Sequence, residues 1–374
     1  RVLLAGGTAR FDQSFLGGSM KVLKESDRLH PYPRGWYAVG TGFDLKPGDL
    51  RHTPFMGRQL VYFRSRSGVV SALDAYCRHA GTHLGHGGRV EGESVVCPYH
   101  HFHWGIDGKL AKVPGLAKCP KLAQRAYHVD EKWGYLFVWH DPSGGPPTWH
   151  VPAVIDTQRL SYPLIETRVL EVHPVDVAEN SSDMRHFHAL HHNDFELKEI
   201  KAINADHFHL LYTGKVLEEN KGLALYHRIA HGVMDVHLYG LGVLTVQVTL
   251  PDMGLAFHYM VSPLPLDEER TQLLIGVNMR RSLAFHGTWL DRALPRLGGQ
   301  IPLPFVDRLV HLWRKDFLRT QLEDEPIWAN KVYLAEPGMV DPPVQIFRKW
   351  AAGIAPPLNA PEKRANGRAL PVSG

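Results

Sequence analysis

The chain has 374 residues, 42 Lys and Arg against 38 Asp and Glu for a net charge of +4, and 44% apolar residues. That length suggests two domains with a sizeable core. The charge is mild and scattered, without the dense basic stripe that nucleic acid favours, and no run of about eighteen apolar residues offers a bilayer span. Three cysteines make an odd count and no disulfide framework, which fits a reducing compartment. A cytoplasmic location is therefore expected, and the N-terminus lacks a secretory pattern. "SFLGGSM" ahead of "KVLKESDRLH" reads as a vector linker ending at Met20, so nothing rests on residues 1–19.

After an N-terminal arm over 1–30, residues 31–150 read as short β-runs separated by turn residues. "LVYFRSRSGVVSALDAYC" predicts a hairpin turning near Ser67-Gly68, and "YLFVWH" another strand. "HDPSGGPPTWHVP", rich in Pro and Gly, marks the boundary to a second domain over 151–350. There "YPLIETRVLEVHP" predicts a strand leading into a helical stretch over Val175–Leu190. Longer strands follow in "FHLLYTGKVL", "LALYHRIAHGVMDVHLYG", "GVLTVQVTL", "LAFHYMVSPL" and "TQLLIGVNMRR". Past Ser282 the pattern turns helical, with Phe305, Leu309, Leu312, Trp313 and Phe317 at spacings of three and four. The tail from Ala351 is Pro/Gly/Ala-rich and predicted to be a flexible arm. The fold class is thus α+β.

Two clusters of polar residues carry chemistry. Cys77 and His79 form a C-x-H pair; after seventeen residues, Cys97 and His100 form a C-x-x-H pair. Zinc fingers group cysteines with cysteines, whereas here each loop brings one sulfur and one nitrogen. A [2Fe-2S] cluster of the Rieske kind needs two thiolates on one iron and two imidazoles on the other, and two facing loops of this kind satisfy both. Gly81, Gly85, Gly87, Gly88 and Pro98 let the loops bend tightly, and Tyr99 and Trp104 are candidates to shield the cluster. His83, His86, His101 and His103 are read as surface or loop-supporting residues, and Cys119 as a buried small residue.

The second cluster is "ENSSDMRHFHALHHNDF". His186 and His191 are five apart, so both reach one metal only if a helix is distorted or ends between them. Two imidazoles and one carboxylate leave open positions on a mononuclear iron(II). Asp324 is the candidate carboxylate, with Glu323 and Glu325 as competitors; His188 and His192 are neighbours easily mistaken for ligands.

"CRH…CPYH", then N-x-x-D-x-x-H-x-x-x-x-H from Asn180 to His191, then "DEPIW" from Asp324, resemble the oxygenase component of Rieske non-heme iron oxygenases. The likeness covers about Pro31 to Trp350. "NSSDMRHFHALH" and "YPRGWY" look most like the steroid- and sterol-acting branch, which includes ketosteroid 9α-hydroxylases and cholesterol 7-desaturases. The resemblance implies a Rieske domain followed by a helix-grip catalytic domain with a long antiparallel sheet and C-terminal helices, in a head-to-tail homotrimer. It implies an O2-dependent monooxygenase that hydroxylates, desaturates or demethylates an apolar polycyclic substrate in steroid or lipid metabolism. Cys77, His79, Cys97 and His100 would hold the cluster; His186, His191 and Asp324 would hold the iron. Asp183 would bridge to His100 of the next subunit, or complement a helix dipole; Asn180 would lie near the iron, or cap a helix. No dinucleotide fingerprint follows a strand, so a ferredoxin or NAD(P)H-dependent flavin reductase is expected as partner. Arg78, Arg89, Lys112 and Lys118 are candidates to steer it. An aromatic-ring or O-demethylating oxygenase, a Rieske electron carrier and a zinc-stabilised module are the competing readings.

Overall fold

A computed structural model describes residues 27–153, 163–191, 194–215, 231–250, 255–279, 311 and 322–358. The expected N-terminal linker, residues 305–321 of the expected long helical segment 305–333 apart from residue 311, His192 and the last sixteen residues lie outside the described ones.

The first part is all β. In chain order it has β1 (Gly35–Thr41), β2 (Leu50–Phe55), β3 (Arg58–Arg64), β4 (Val70–Asp74), β5 (Arg89–Glu91), β6 (Ser94–Val96), β7 (His103–Gly105), β8 (Leu110–Lys112), β9 (Ala126–Tyr127), β10 (Val129–Lys132) and β11 (Tyr135–His140). They pair as β1-β11-β10, β2-β3-β4-β9 and β5-β6-β7-β8. The expected hairpin is β3–β4; Gly68 supplies the left-handed turn conformation, φ +98°. Val61, Phe63 and Leu73 bury their side chains with Cys77, Cys97 and Trp104, so this core is also the floor of the cysteine loops.

The second part is one antiparallel sheet of β12 (Leu164–Leu170), β13 (Asp194–Asn204), β14 (His207–Lys215), β15 (His231–Tyr239), β16 (Val243–Leu250), β17 (Leu255–Pro265) and β18 (Thr271–Met279), ordered β12-β18-β17-β16-β15-β14-β13. The predicted strands correspond to six of these. β13 escaped the sequence reading because it is an edge strand whose exposed Glu196, Lys198, Glu199 and Lys201 mask its alternation, the charged character that discourages edge-to-edge pairing.

Helices lie on one face of the sheet. The helical stretch expected near Val175–Leu190 consists of α1 (Pro174–Glu179), a single 3-10 turn (Asn180–Ser182) and α2 (Met184–Ala189). His173 caps α1, accepting from the Val175 amide, and Asp183 caps α2. α3 occupies residues 322–330, and α4 (Pro342–Ala351) is gripped by the sheet, with Phe347 and Trp350 against Phe208 at 5.8 and 5.1 Å between ring centroids. β14 shows why: Phe208, Leu210 and Tyr212 are buried toward the helices, and the alternate His207 and His209 point to the other face.

The boundary segment after His140 is packed: Trp36 Nε1 donates to the Trp149 carbonyl at 2.8 Å, and Val151 joins a core that holds Trp36, Trp139, Tyr239, Val243 and Leu274. The apolar residues among its prolines and glycines account for this. One expectation is corrected: the tail does not loosen at Ala351. Ile354 and Ala355 are buried, and the Leu358 amide donates to the Arg28 carbonyl at 2.7 Å.

A buried ion network fixes α1 to α4. Glu179 accepts from Arg348 Nε at 2.6 Å, Arg348 Nη2 at 3.0 Å and Lys331 Nζ at 3.1 Å; Lys331 also reaches Asp176 at 2.9 Å. Burial alone would push the Glu179 carboxyl up; Arg348 and Lys331 outweigh it and hold it below the ordinary range. Stranding a buried charge is costly, and Lys331 remains to offset part of it. Arg348→Met is therefore expected to destabilise the chain by about 3 kcal/mol in urea denaturation. Because the folded pKa of Glu179 lies below its unfolded value of about 4.3, its contribution is full above that pH and is lost as pH falls through the folded pKa. The Arg348→Met variant should show a shallower loss of stability over that acid window.

Candidate metal centres

The two cysteine loops have the same backbone. Cys77 N–H donates to the Thr82 carbonyl at 2.9 Å, and Gly81 N–H to the Cys77 carbonyl at 2.8 Å. Cys97 N–H donates to the Phe102 carbonyl at 2.9 Å, and His101 N–H to the Cys97 carbonyl at 3.1 Å. In both, the residue four after the cysteine is left-handed: Gly81 at φ +74° and His101 at φ +57°. His101 is thus a backbone-shaping residue, as the sequence reading of it as loop-supporting expected.

The loops sort their side chains by kind. Cys77 and Cys97 are buried and face each other, while His79 and His100 are exposed, ring centroids 4.8 Å apart. Burial pushes the Cys77 thiol up, against hydrogen bonds from the His79 amide and Trp104. Phe102 stacks on His79 at 4.3 Å. Paired thiols beneath paired imidazoles fit a cluster with one iron of each ligand type. Trp104 is fully buried and its Nε1–H points at Cys77 Sγ, 3.3 Å away. Tyr99 is not a shield: it is 64% exposed and leans on His100. Cys119 is half-buried rather than buried. Arg89 is committed to Glu91 at 2.7 Å, leaving Arg78, Lys112 and Lys118 on the surface.

His83 and His86 form a cluster with His52 of β2, their ligand atoms within 4.8 Å of one another. Gly85 makes room for it, since a Cβ there would meet the His52 ring at 2.8 Å. The sequence reading had no signal for His52, which comes from a distant strand.

The second centre brings together His186, His191 and Asp324, all ligand atoms within 4.8 Å of one another. α2 ends at Ala189, between the two histidines, which is what a spacing of five requires. His186 Nδ1 contacts the Asp183 carbonyl at 2.5 Å, and His191 Nδ1 contacts Glu323 Oε2 at 3.0 Å. Both rings are held from behind, so each Nε2 is free for a metal. His191 Nε2 lies 3.3 Å from Asp324 Oδ1, both side chains being 4% exposed. Burial lowers the His186 pKa; burial would also lower that of His191, but Asp324 and Glu323 reverse it and raise it.

The three consecutive acids on α3 have separate tasks. Asp324 faces the histidines, Glu323 sits behind His191, and Glu325 pairs with Arg168 at 3.0 Å. His188 is exposed on α2. The Asp183 carboxylate accepts from the Arg185 and His186 amides at 3.1 and 3.3 Å, the helix-capping role of the two weighed for it. Asn180 does not cap a helix start; it ends α1, and its carbonyl accepts from the Asp183 amide at 3.2 Å.

Family models match on both sides. Residues 35–125 match the Rieske [2Fe-2S] domain, and residues 138–353 match the 3-ketosteroid 9alpha-hydroxylase C-terminal domain. The chain belongs to this family of Rieske oxygenases. The 3-ketosteroid-9-alpha-monooxygenase oxygenase component of Mycolicibacterium smegmatis is 37% identical over 171 residues, 43% of each chain. The chain thus spans less than half the length of the curated relatives it matches at this level. Longer alignments join it to such a component from Rhodococcus rhodochrous, 25% identical over 85% of this chain and 79% of that one, and to cholesterol 7-desaturase nvd 2 of Ciona intestinalis, 26% identical over 85% and 71%. The fold matches Pseudomonas putida CBB5 NdmB (TM-score 0.61, 15% identity, 84% of this chain and 89% of that one) and dicamba monooxygenase (0.56, 15%, 86% and 96%). The Rieske oxygenase family is the one expected from the two motifs.

Hydrogen bonds to a cluster's sulfurs raise its reduction potential. Trp104→Phe removes one of about 1 kcal/mol, which for one electron is about 40 mV. Redox titration should find the cluster that much easier to oxidise, with its visible spectrum retained.

Proposed function

We propose that the chain is the terminal oxygenase of a steroid- or sterol-oxidising system, the observation carrying this being the buried His186–His191–Asp324 set in a chain that also has a Rieske domain. Cys77, His79, Cys97 and His100 would hold the [2Fe-2S] cluster, and His186, His191 and Asp324 a mononuclear iron(II). When bound, the cluster supplies one-electron storage and the lone iron supplies O2 activation.

The chain's own residues do the rest. The Asp183 carbonyl and the Glu323 carboxylate hold the two imidazoles in one tautomer. Phe187 packs on Tyr212, and Val172, Val177, Val261, Leu273, Ile275 and Trp328 form a buried apolar cluster against α3. Trp328 lies one helical turn past Asp324, and its indole N–H is buried without a hydrogen-bond partner among the described residues. An unpartnered indole N–H in apolar surroundings is compatible with a flat polycyclic substrate bearing one oxygen function. This agrees with the ketosteroid and cholesterol names of the relatives.

Electrons come from a separate ferredoxin or flavin reductase, meeting the exposed His79–His100 edge beside Arg78, Lys112 and Lys118. In a head-to-tail trimer, His100 of one subunit meets Asp183 of the next. Asn180, the first residue of the 3-10 turn between α1 and α2, would tune the iron's surroundings.

The test is turnover with a ferredoxin–reductase pair on a panel of ketosteroids, sterols and methoxyarenes, with iron and sulfide counted. Oxidation of the steroid members supports the reading; activity on methoxyarenes alone defeats it. Asp324→Asn is expected to lose one iron per chain and all product while keeping the cluster's colour. Glu323→Gln should weaken iron binding about 10–100-fold, measured by chelator competition.

A further inference from the structure

The alternation that turns Phe208, Leu210 and Tyr212 inward places a second set of ligand-type side chains on the opposite face of the same strands. His209 of β14 is the direct cross-strand partner of His237 on β15. Their rings stack at 4.5 Å with 16° between planes. Asp235, two residues before His237 and so on the same face, places Oδ1 2.7 Å from His209 Nε2 and 3.3 Å from His237 Nε2. The three ligand atoms all lie within 4.8 Å of one another. Ligand atoms around a zinc ion with bonds of about 2.1 Å sit about 3–3.5 Å apart, so a small closure of the imidazoles suffices.

The surroundings are those of a metal site rather than of a surface histidine pair. A ligating imidazole needs a partner for its other nitrogen. His237 Nδ1 has His207 Nε2 at 3.0 Å, and His209 Nδ1 faces Glu199 Oε1 of β13 at 3.9 Å. Tyr239 closes one side, its ring stacked on His207 at 4.5 Å. The side chains of His209, His237 and Asp235 are 16%, 22% and 37% exposed, sheltered yet open to an entering ion. The three strands that meet here are held in register by backbone pairing, so the set is pre-arranged.

We propose that His209, Asp235 and His237 form a second, zinc-type site on the outer face of the sheet, with His207 orienting the His237 imidazole and the Glu199 carboxylate near that of His209. Two imidazoles and one carboxylate suit Zn2+, with a fourth position left to water. The ion clips β14 to β15, on the reverse of the strand whose Tyr212 hydroxyl donates to the Ser181 carbonyl just ahead of His186. The proposal does not rest on the oxygenase reading.

The experiment uses the full chain loaded with iron, dialysed against Zn2+ alone, with bound metal counted by mass spectrometry and thermal unfolding followed in parallel. One added zinc per chain and a higher Tm with zinc than without are expected. His209→Gln and the isosteric Asp235→Asn should each weaken uptake at least about tenfold and abolish the Tm rise, and His207→Phe should weaken it about 10–100-fold. His191→Ala should leave uptake intact, which separates this site from the iron centre. Absence of zinc uptake, uptake unchanged in both His209→Gln and Asp235→Asn, or uptake lost in His191→Ala would overturn the proposal.

Discussion

A carboxylate buried beside two imidazoles is the constraint on which the second half of this protein is arranged. Asp324 is 3% exposed, and a buried charge must be compensated or neutralised. The neighbouring histidines compensate it only if their ring nitrogens are held toward it. His186 depends on the Asp183 carbonyl, hence on the chain turning between the 3-10 turn and α2; His191 depends on Glu323, hence on α3 lying across α2. Tyr212, through Ser181, ties the turn to β14, and the Glu179 network ties α1 to α4. Structural bonds far from the candidate metal site therefore have a common effect: they stop three polar side chains from relaxing toward water.

The first half meets a different constraint with a repeated solution. Two short loops must offer buried sulfur and exposed nitrogen at once. Both use the same pair of backbone hydrogen bonds and a left-handed fourth residue. Only one of them uses glycine there. His101 in the other accepts a conformation that is uncommon for a side-chain-bearing residue, held by the Phe102 carbonyl and the Cys97 amide on either side of it. The spacing difference between the loops, C-x-H against C-x-x-H, then sends two imidazoles to one edge, 4.8 Å apart.

How much of this was legible depended on whether a signal was local. The cysteine–histidine pairs, the spacing of His186 and His191, and the strands from β14 to β18 are patterns within a few residues, and they could be read. The end of α2 between the histidines was deducible from the 3.6-residue period once both were taken to reach one metal. The choice among Glu323, Asp324 and Glu325 was narrowed to a candidate, but their separate tasks follow from a helix rotating about 100° per residue against fixed neighbours. That is tertiary information. The packing of the residues after Ala351, and of the boundary segment, was not legible for one reason: Pro and Gly announce irregular backbone, and irregular backbone is not the same as loose backbone. Trp149, Val151, Ile354 and Ala355 are the apolar residues that decide it.

The outer histidines show the same limit from the other side. His207-x-His209 and Asp235-x-His237 alternate at the strand period, so each pair was readable as sharing a face. Their meeting was not, because it depends on the register His209↔His237 between strands separated by fifteen intervening residues of chain, 216–230. That register is set by the buried side of the strands, where a one-residue slip would turn Phe208, Leu210 and Tyr212 to solvent. The packing that positions the candidate metal set on one face thus fixes the histidines on the other. Any ligand set on the outer face inherits its geometry from the core, without needing interactions of its own to assemble.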